Sequence, residues 1–204
     1  IEFFKKSMIG NEIYQFAKEL WPINRSITGE GLRETLQKVS SHLPKLEIKT
    51  VPSGTKVFDW TVPKEWVIKD AYIKHDGKKI LDLKKNSLHV LNYSAPINKT
   101  MSLGELNKHL YSIKKKPNVV PYVTSYYKKN FGFCLEHNKR KKLKGKNYQV
   151  FINSKFIKGN VVNGISEIKG KTKKTILISS YLCHPSMANN ELSGPLTMVG
   201  LYRK

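Results

Sequence analysis

The sequence is poor in cysteine, in arginine and in acidic residues, and it contains no long apolar run. Two cysteines, Cys134 and Cys183, each in apolar or aromatic surroundings, cannot make a disulfide framework and read as buried thiols. No stretch reaches the roughly 18 consecutive apolar residues that a membrane-spanning helix needs, so no membrane partner is expected. The opening Ile1-Glu-Phe-Phe-Lys-Lys lacks the charged, apolar and cleavage regions of a signal peptide, which makes a cytoplasmic address the default expectation. Acidic residues number 15 against 37 basic ones, a net charge of +22 that invites a polyanion partner. Only four of the basic residues are arginines, Arg25, Arg33, Arg140 and Arg203, although arginine is the side chain suited to bidentate phosphate and base contacts. Lysine is abundant together with isoleucine and asparagine, as compositional drift would produce, and the densest run, residues 139–146, reads as a solvated loop. A nucleic-acid partner is therefore disfavoured, and a basic module binding a polyanion is kept only as an alternative.

What is present is enough apolar residue, 39%, for a sizeable core in one or two domains. Ile13, Phe16, Ala17 and Leu20 fall on one helical face that ends at Trp21-Pro22, where proline bars continuation. Leu32, Leu36, Val39 and Leu43 mark a second amphipathic helix, capped by Thr28 or Gly29. Between them lies the polar string Asn24-Arg25-Ser26-Ile27-Thr28-Gly29-Glu30-Gly31. It is either an anion-binding loop or, the favoured reading, a loop whose polar groups tie the two helices together. Residues 46–51 alternate as a strand.

From Thr55 the period changes. Short alternating segments at 67–74, 79–83 and 87–93, the hairpin signal Asp76-Gly77, and a capping box at Ser102 and Glu105 before one short helix describe a small β-rich unit. Its aromatic stretch, 121–127 with 130–134, reads as core in preference to a recognition surface. After Lys146, strands at 148–152 and 159–165 and an apolar, β-branched strand at 175–182 would rejoin the first fifty residues in one α/β layer. The expected organisation is thus an α/β domain of residues 1–54 and 147–204, with residues 55–146 inserted as the β-rich domain.

The chemistry gathers after the last of these strands, in Cys183-His184-Pro-Ser-Met-Ala-Asn189-Asn190-Glu191-Leu-Ser193-Gly194-Pro195. A histidine beyond the carboxyl end of a strand, followed six residues later by carboxamides and a carboxylate, has the layout of half a metal site. The alternative is a loop histidine satisfied by backbone groups, with Asn189 and Asn190 as turn or cap residues. A Cys183–His184 nucleophile pair is excluded on the strand assumption, since adjacent strand residues point to opposite faces.

Cys-His-Pro-Ser-x-Ala-Asn-x-x-Leu-Ser-Gly-Pro resembles the signature of a bacterial family described as polysaccharide-biosynthesis proteins with an aminopeptidase-like domain, itself similar to the di-zinc aminopeptidases. Pro-x-Asn-Arg-Ser-x-Thr-Gly-Glu-Gly, Asp-Trp-x-Val-Pro-x-Glu-Trp, Pro-Tyr-x-Thr-Ser-Tyr-Tyr and Gly-Phe-Cys extend the likeness from Leu20 to Gly200. The resemblance implies an aminopeptidase-like α/β sheet domain, two zinc ions and a peptide or small amide as substrate. It makes His184 the first zinc ligand and gives Asn190 the bridging place, where the family has aspartate. An amide offers one neutral oxygen instead of two charged ones, and Glu191 could substitute only if the loop shifts by one residue. The family's remaining ligands and its general base would lie beyond Lys204, so the chain is expected to be an N-terminal fragment that binds zinc weakly or not at all. The functional expectation is a zinc-dependent, aminopeptidase-like hydrolase of peptide or amide bonds. The alternative is a non-catalytic relative that binds a peptide or an amino-sugar precursor. Nothing in the sequence indicates the oligomeric state.

Overall fold

The computed structural model describes residues 2–43 and 45–203, with backbone alone for residues 2–8. The fold mixes helices with small sheets, and the chain divides into two compact units: Ile1–Glu65 with Lys158–Lys204, and Trp66–Ile157.

The first unit opens with helix α1, Glu2–Leu20, which buries Phe16 and Leu20 on its apolar stripe and stops before Pro22, as the sequence requires. Helix α2, Glu30–Ser40, buries Leu32, Thr35, Leu36 and Val39. It is entered through Gly29 at φ 101°, a conformation that favours glycine, and no side chain caps it. A Cβ on Gly31 would lie 2.1 Å from the Asn24 carbonyl oxygen, so the polar loop packs directly onto the first turn of α2. Strand β1, Glu47–Pro52, follows, and then a short antiparallel pair, β2 (Lys56–Val57) with β3 (Trp60–Thr61). This pair belongs to the first unit, whereas a boundary at residue 55 would have placed it in the second.

In the second unit, β4 (Glu65–His75, whose first residue belongs to the other unit) turns through Asp76 and Gly77, both at positive φ, into β5 (Lys78–Asp82). This is the hairpin read from Asp-Gly, because two consecutive left-handed residues match the twist of the flanking strands. Residues 87–93 are not a strand: Ser87–His89 form one 3-10 turn capped by the Asn86 side chain. There follow β6 (Ile97–Met101), α3 (Leu103–Asn107), β7 (Leu110–Tyr111), β8 (Phe133–Cys134), α4 (His137–Lys141) and β9 (Tyr148–Ile157). Helix α3 carries the complete Ser102–Glu105 capping box. The main sheet runs β5-β4-β9-β6, which moves residues 148–157 out of the expected α/β layer and into this unit. Alternate residues of β9 (Tyr148, Val150, Ile152) join Ile73, Leu81, Leu106 and Phe133 in its core. Within the aromatic stretch Phe133 is buried, while Tyr127 is 87% exposed.

The chain returns to the first unit as β10, Asn160–Ile165, paired antiparallel with β1 from Glu47↔Ile165 to Pro52↔Asn160. The run 175–182 that follows is the main departure from expectation. It pairs with no strand and stands in solvent, with Ile176 at 89% and Leu177 at 85% exposure. No sheet is built on it among the described residues. Only at Leu182 does the run rejoin the core, packing against Leu32, Leu36 and Val162 on one side and the α1 cluster of Phe16, Leu20, Val39 and Leu43 on the other. One π-helical turn, Ala188–Leu192, leads into α5, Ser193–Tyr202, whose Leu196 and Val199 complete that cluster.

One ion pair secures the end of this unit. The Arg33 guanidinium donates to both oxygens of the buried Glu65 carboxylate at 2.8 and 2.9 Å, and also to Glu30. Those bonds hold the Glu65 pKa below the usual carboxylate value, against the opposing effect of burial. The folded state therefore binds a proton here less readily than the unfolded chain. The stabilisation is fully present above the ordinary pKa near 4.5 and is lost as pH falls through the lowered folded value. Since the Arg33 side chain is 38% exposed, we expect Glu65→Gln to cost about 1–3 kcal/mol at pH 7. Urea denaturation of both proteins should show that difference shrinking as pH drops from 5 toward 3.

Candidate metal centre

His184 leaves the core at Leu182, and two buried charges of opposite sign fix its main chain. Its N–H donates to Glu191 Oε1 at 2.7 Å, and its carbonyl accepts from Arg25 Nε at 3.1 Å. The ring is held as well: Nδ1 lies 3.0 Å from Glu191 Oε2 and 3.2 Å from Asn190 Oδ1. Cys183 and Glu191 together lift the His184 pKa to about 10. Glu191 is 1% exposed and Arg25 fully buried, whereas the Asn190 side chain faces solvent.

The π-turn explains this arrangement. Ser193 N–H bonds to the carbonyl of Ala188, five residues back, so the turn holds one more residue than an α-turn would. Glu191 thereby rotates inward and Asn190 outward. Both residues touch the His184 ring, and the buried one is Glu191. The loop is closed on the other side by Gly194, where a Cβ would stand 2.3 Å from Ser180 Oγ.

Cys183 corrects a second expectation. The exclusion of a Cys183–His184 contact assumed strand alternation through both residues, and the backbone there is not a strand. Instead, ligating atoms of Cys183, His184 and Glu191 all lie within 4.8 Å of one another. Both cysteines are free thiols, in unlike surroundings. Burial pushes the Cys134 thiol up to about 12, while Cys183 is partly exposed. Iodoacetamide at pH 8 should therefore label Cys183 in the folded protein and Cys134 only after unfolding, which peptide mapping by mass spectrometry would reveal.

Neither Arg25 nor Cys183 was singled out for this site by the sequence, although the string containing Arg25 was marked as one that could be functional. Its tie to His184 spans 159 positions. The ring nitrogen, thiol and carboxylate form a donor set of the type zinc takes, and the carboxylate behind Nδ1 is the partner that commonly orients a ligating histidine through its other nitrogen. His184 with Cys183 would hold one cation here, with Glu191 as the carboxylate beside the ring.

Residues 65–155 match a family model described as a domain of unknown function (DUF2172). Over 189 residues, 92% of this chain, the sequence is 50% identical to a Clostridium acetobutylicum protein named "Putative polysaccharide biosynthesis protein with aminopeptidase-like domain". The two are homologues. The crystal structure of a "putative peptidase" from the same organism superposes with a TM-score of 0.93 at 48% identity over 97% of this chain. This chain spans 43% of the first relative and 47% of the second. In the structure described here, no helix among the described residues is long and apolar enough to cross a membrane.

Proposed function

We propose that this chain forms part of a zinc-dependent, aminopeptidase-like hydrolase of peptide or amide bonds, contributing His184 as a metal ligand. The observation that carries this reading is the doubly anchored His184, its main chain held at both N–H and carbonyl and its Nδ1 backed by a buried carboxylate. A histidine that only capped a loop would not need a buried carboxylate to fix its ring. A bound zinc would supply Lewis acidity toward a carbonyl and a water acidified toward neutral pH. The protein's own part is to hold the ligand in one orientation: Glu191 accepts from the His184 N–H and stands beside Nδ1, and Arg25 donates to the His184 carbonyl. The homologues' names support a peptidase-like activity, and the full reaction belongs to a protein of their length.

Asn190 favours a second reading, a non-catalytic relative that binds a peptide or amino-sugar precursor, because an exposed amide balances less cation charge than a bridging carboxylate. Hydrolysis of aminoacyl anilides by a protein of the relatives' length, with and without a chelator, separates the two. Zinc-dependent hydrolysis abolished by His184→Ala supports the hydrolase. Activity indifferent to both chelator and His184→Ala overturns the assignment of zinc to this residue, and absence of hydrolysis with retained peptide binding supports the alternative.

A further inference from the structure

We infer that Arg25 is the positioning residue of the His184 loop. Its guanidinium is fully buried and makes two directed contacts to main-chain carbonyls: Nη1 to Leu20 at 2.6 Å, and Nε to His184 at 3.1 Å. The first contact ends a helix, since Leu20 is the last residue of α1 and its carbonyl lies at the negative end of the helix dipole. The second reaches across the unit to the candidate ligand itself. Arg25 thus ties the position of His184 to the end of the helix that carries the core residues Phe16 and Leu20.

The chemistry of the pair argues against simple packing. A buried cation is costly to desolvate, and an apolar residue of the same volume would fill this space at lower cost. What an apolar residue could not do is donate to two carbonyls, one of them that of the residue whose N–H the buried Glu191 carboxylate accepts. The Glu191 charge offsets part of the cost of burying Arg25, and between them the N–H and the carbonyl of His184 each have a directed partner. The polar string of the first loop thereby acquires its function. Ser26 and Thr28, also buried, and the close approach of Asn24 to Gly31 hold the loop against α2. Its arginine then reaches the site. This inference rests on the proposed role of His184 only for its consequence in zinc binding, and its geometric content is independent of it.

The test compares Arg25→Lys, Arg25→Met and the double variant Arg25→Met/Glu191→Gln by thermal melting and by hydrogen–deuterium exchange of the peptide covering residues 182–188. Arg25→Met alone leaves a buried carboxylate uncompensated and will be unstable whatever the role of Arg25. In the double variant both charges are gone. We expect its melting temperature to lie nearer that of the wild type, while exchange in residues 182–188 remains at least about tenfold faster than wild type and exchange in β1 and β10 is unchanged. Arg25→Lys keeps the charge but replaces the fork by one ammonium group, so it should melt near wild type with an intermediate rise in exchange. If the double variant and Arg25→Lys both exchange at the wild-type rate over residues 182–188, Arg25 serves stability alone and the inference is overturned. Faster exchange in a protein for which zinc titration shows no binding would sustain the positioning role and remove only the zinc reading of His184. Where zinc does bind, its affinity should fall roughly 10–100-fold in Arg25→Lys, the range typical for loss of an outer-shell partner.

Discussion

Replacing Glu191 by alanine is expected to lower the stability of the unit that carries it by about 3–5 kcal/mol, the cost typical of leaving an opposite buried charge uncompensated. The carboxylate is 1% exposed, accepts from the His184 N–H, lies 3.0 Å from the ring Nδ1, and supplies a negative charge that acts on Arg25. Alanine removes all of this and leaves a buried guanidinium with its charge uncompensated. Glutamine keeps an acceptor for the His184 N–H but not the charge, so it should cost less, about 1–3 kcal/mol. The contact to the His184 ring contributes the smaller share, because that side chain is 22% exposed and its ion pair is partly screened. Urea denaturation of the two variants decides the matter. A cost under about 1 kcal/mol for Glu191→Ala would mean that Arg25 finds its compensation elsewhere. A double-mutant cycle with Arg25→Met should return a coupling of about 1–3 kcal/mol, as expected for groups sharing one network.

The parts of this fold that the sequence made legible are those whose cause is local. The stripe Ile13, Phe16, Ala17 and Leu20 needed only helical periodicity, the stop at Leu20 only Pro22, the hairpin only Asp76-Gly77 and the start of α3 only Ser102 and Glu105. Each depends on residues within a few positions of one another. What failed depended on partners distant in the chain. β9 looked like the first strand of a returning α/β layer, but its alternating apolar face pairs with β6, some fifty positions earlier, and that choice decides the unit to which it belongs. At the site, spacing alone brought His184, Asn190 and Glu191 together as candidates, while which of the last two is buried depends on the turn between them. The π-turn that buries Glu191 is a backbone event with no composition of its own. Arg25 was visible only as one member of a polar loop, because a buried arginine declares itself through the carbonyl it meets, here 159 positions away. The Cys183 error followed from a strand assignment, since alternation is a property of paired extended backbone and lapses where the pairing does.

The run 175–182 yields the prediction with the widest physical consequence. Ile176, Leu177 and Ile178 are 89%, 85% and 55% exposed, and Tyr181 is 52% exposed. These apolar side chains all stand in solvent, so the run is open along its length. Its main-chain groups lack strand partners too. A β-branched, uncharged segment without strand partners is a template for pairing with another chain. We therefore expect the amides of residues 176–181 to exchange at nearly their intrinsic rates, and the 204-residue chain to self-associate increasingly with concentration. Lysine at 176, 177 and 178 should suppress that association and leave the melting temperature of the monomer within about 2 °C, since surface substitutions away from packed groups cost little. Leu182 makes the internal contrast: half-buried against both apolar clusters, it should cost about 1–3 kcal/mol when cut to alanine. Sedimentation across a tenfold concentration range, with exchange on the same samples, tests the expectation, and slow exchange in a monomeric chain would refute it. Because the relatives are about twice as long, the same three lysines placed in a protein of their length become a probe of coverage. Severe destabilisation there, set against neutrality in the shorter chain, would mean that the additional length packs onto this run.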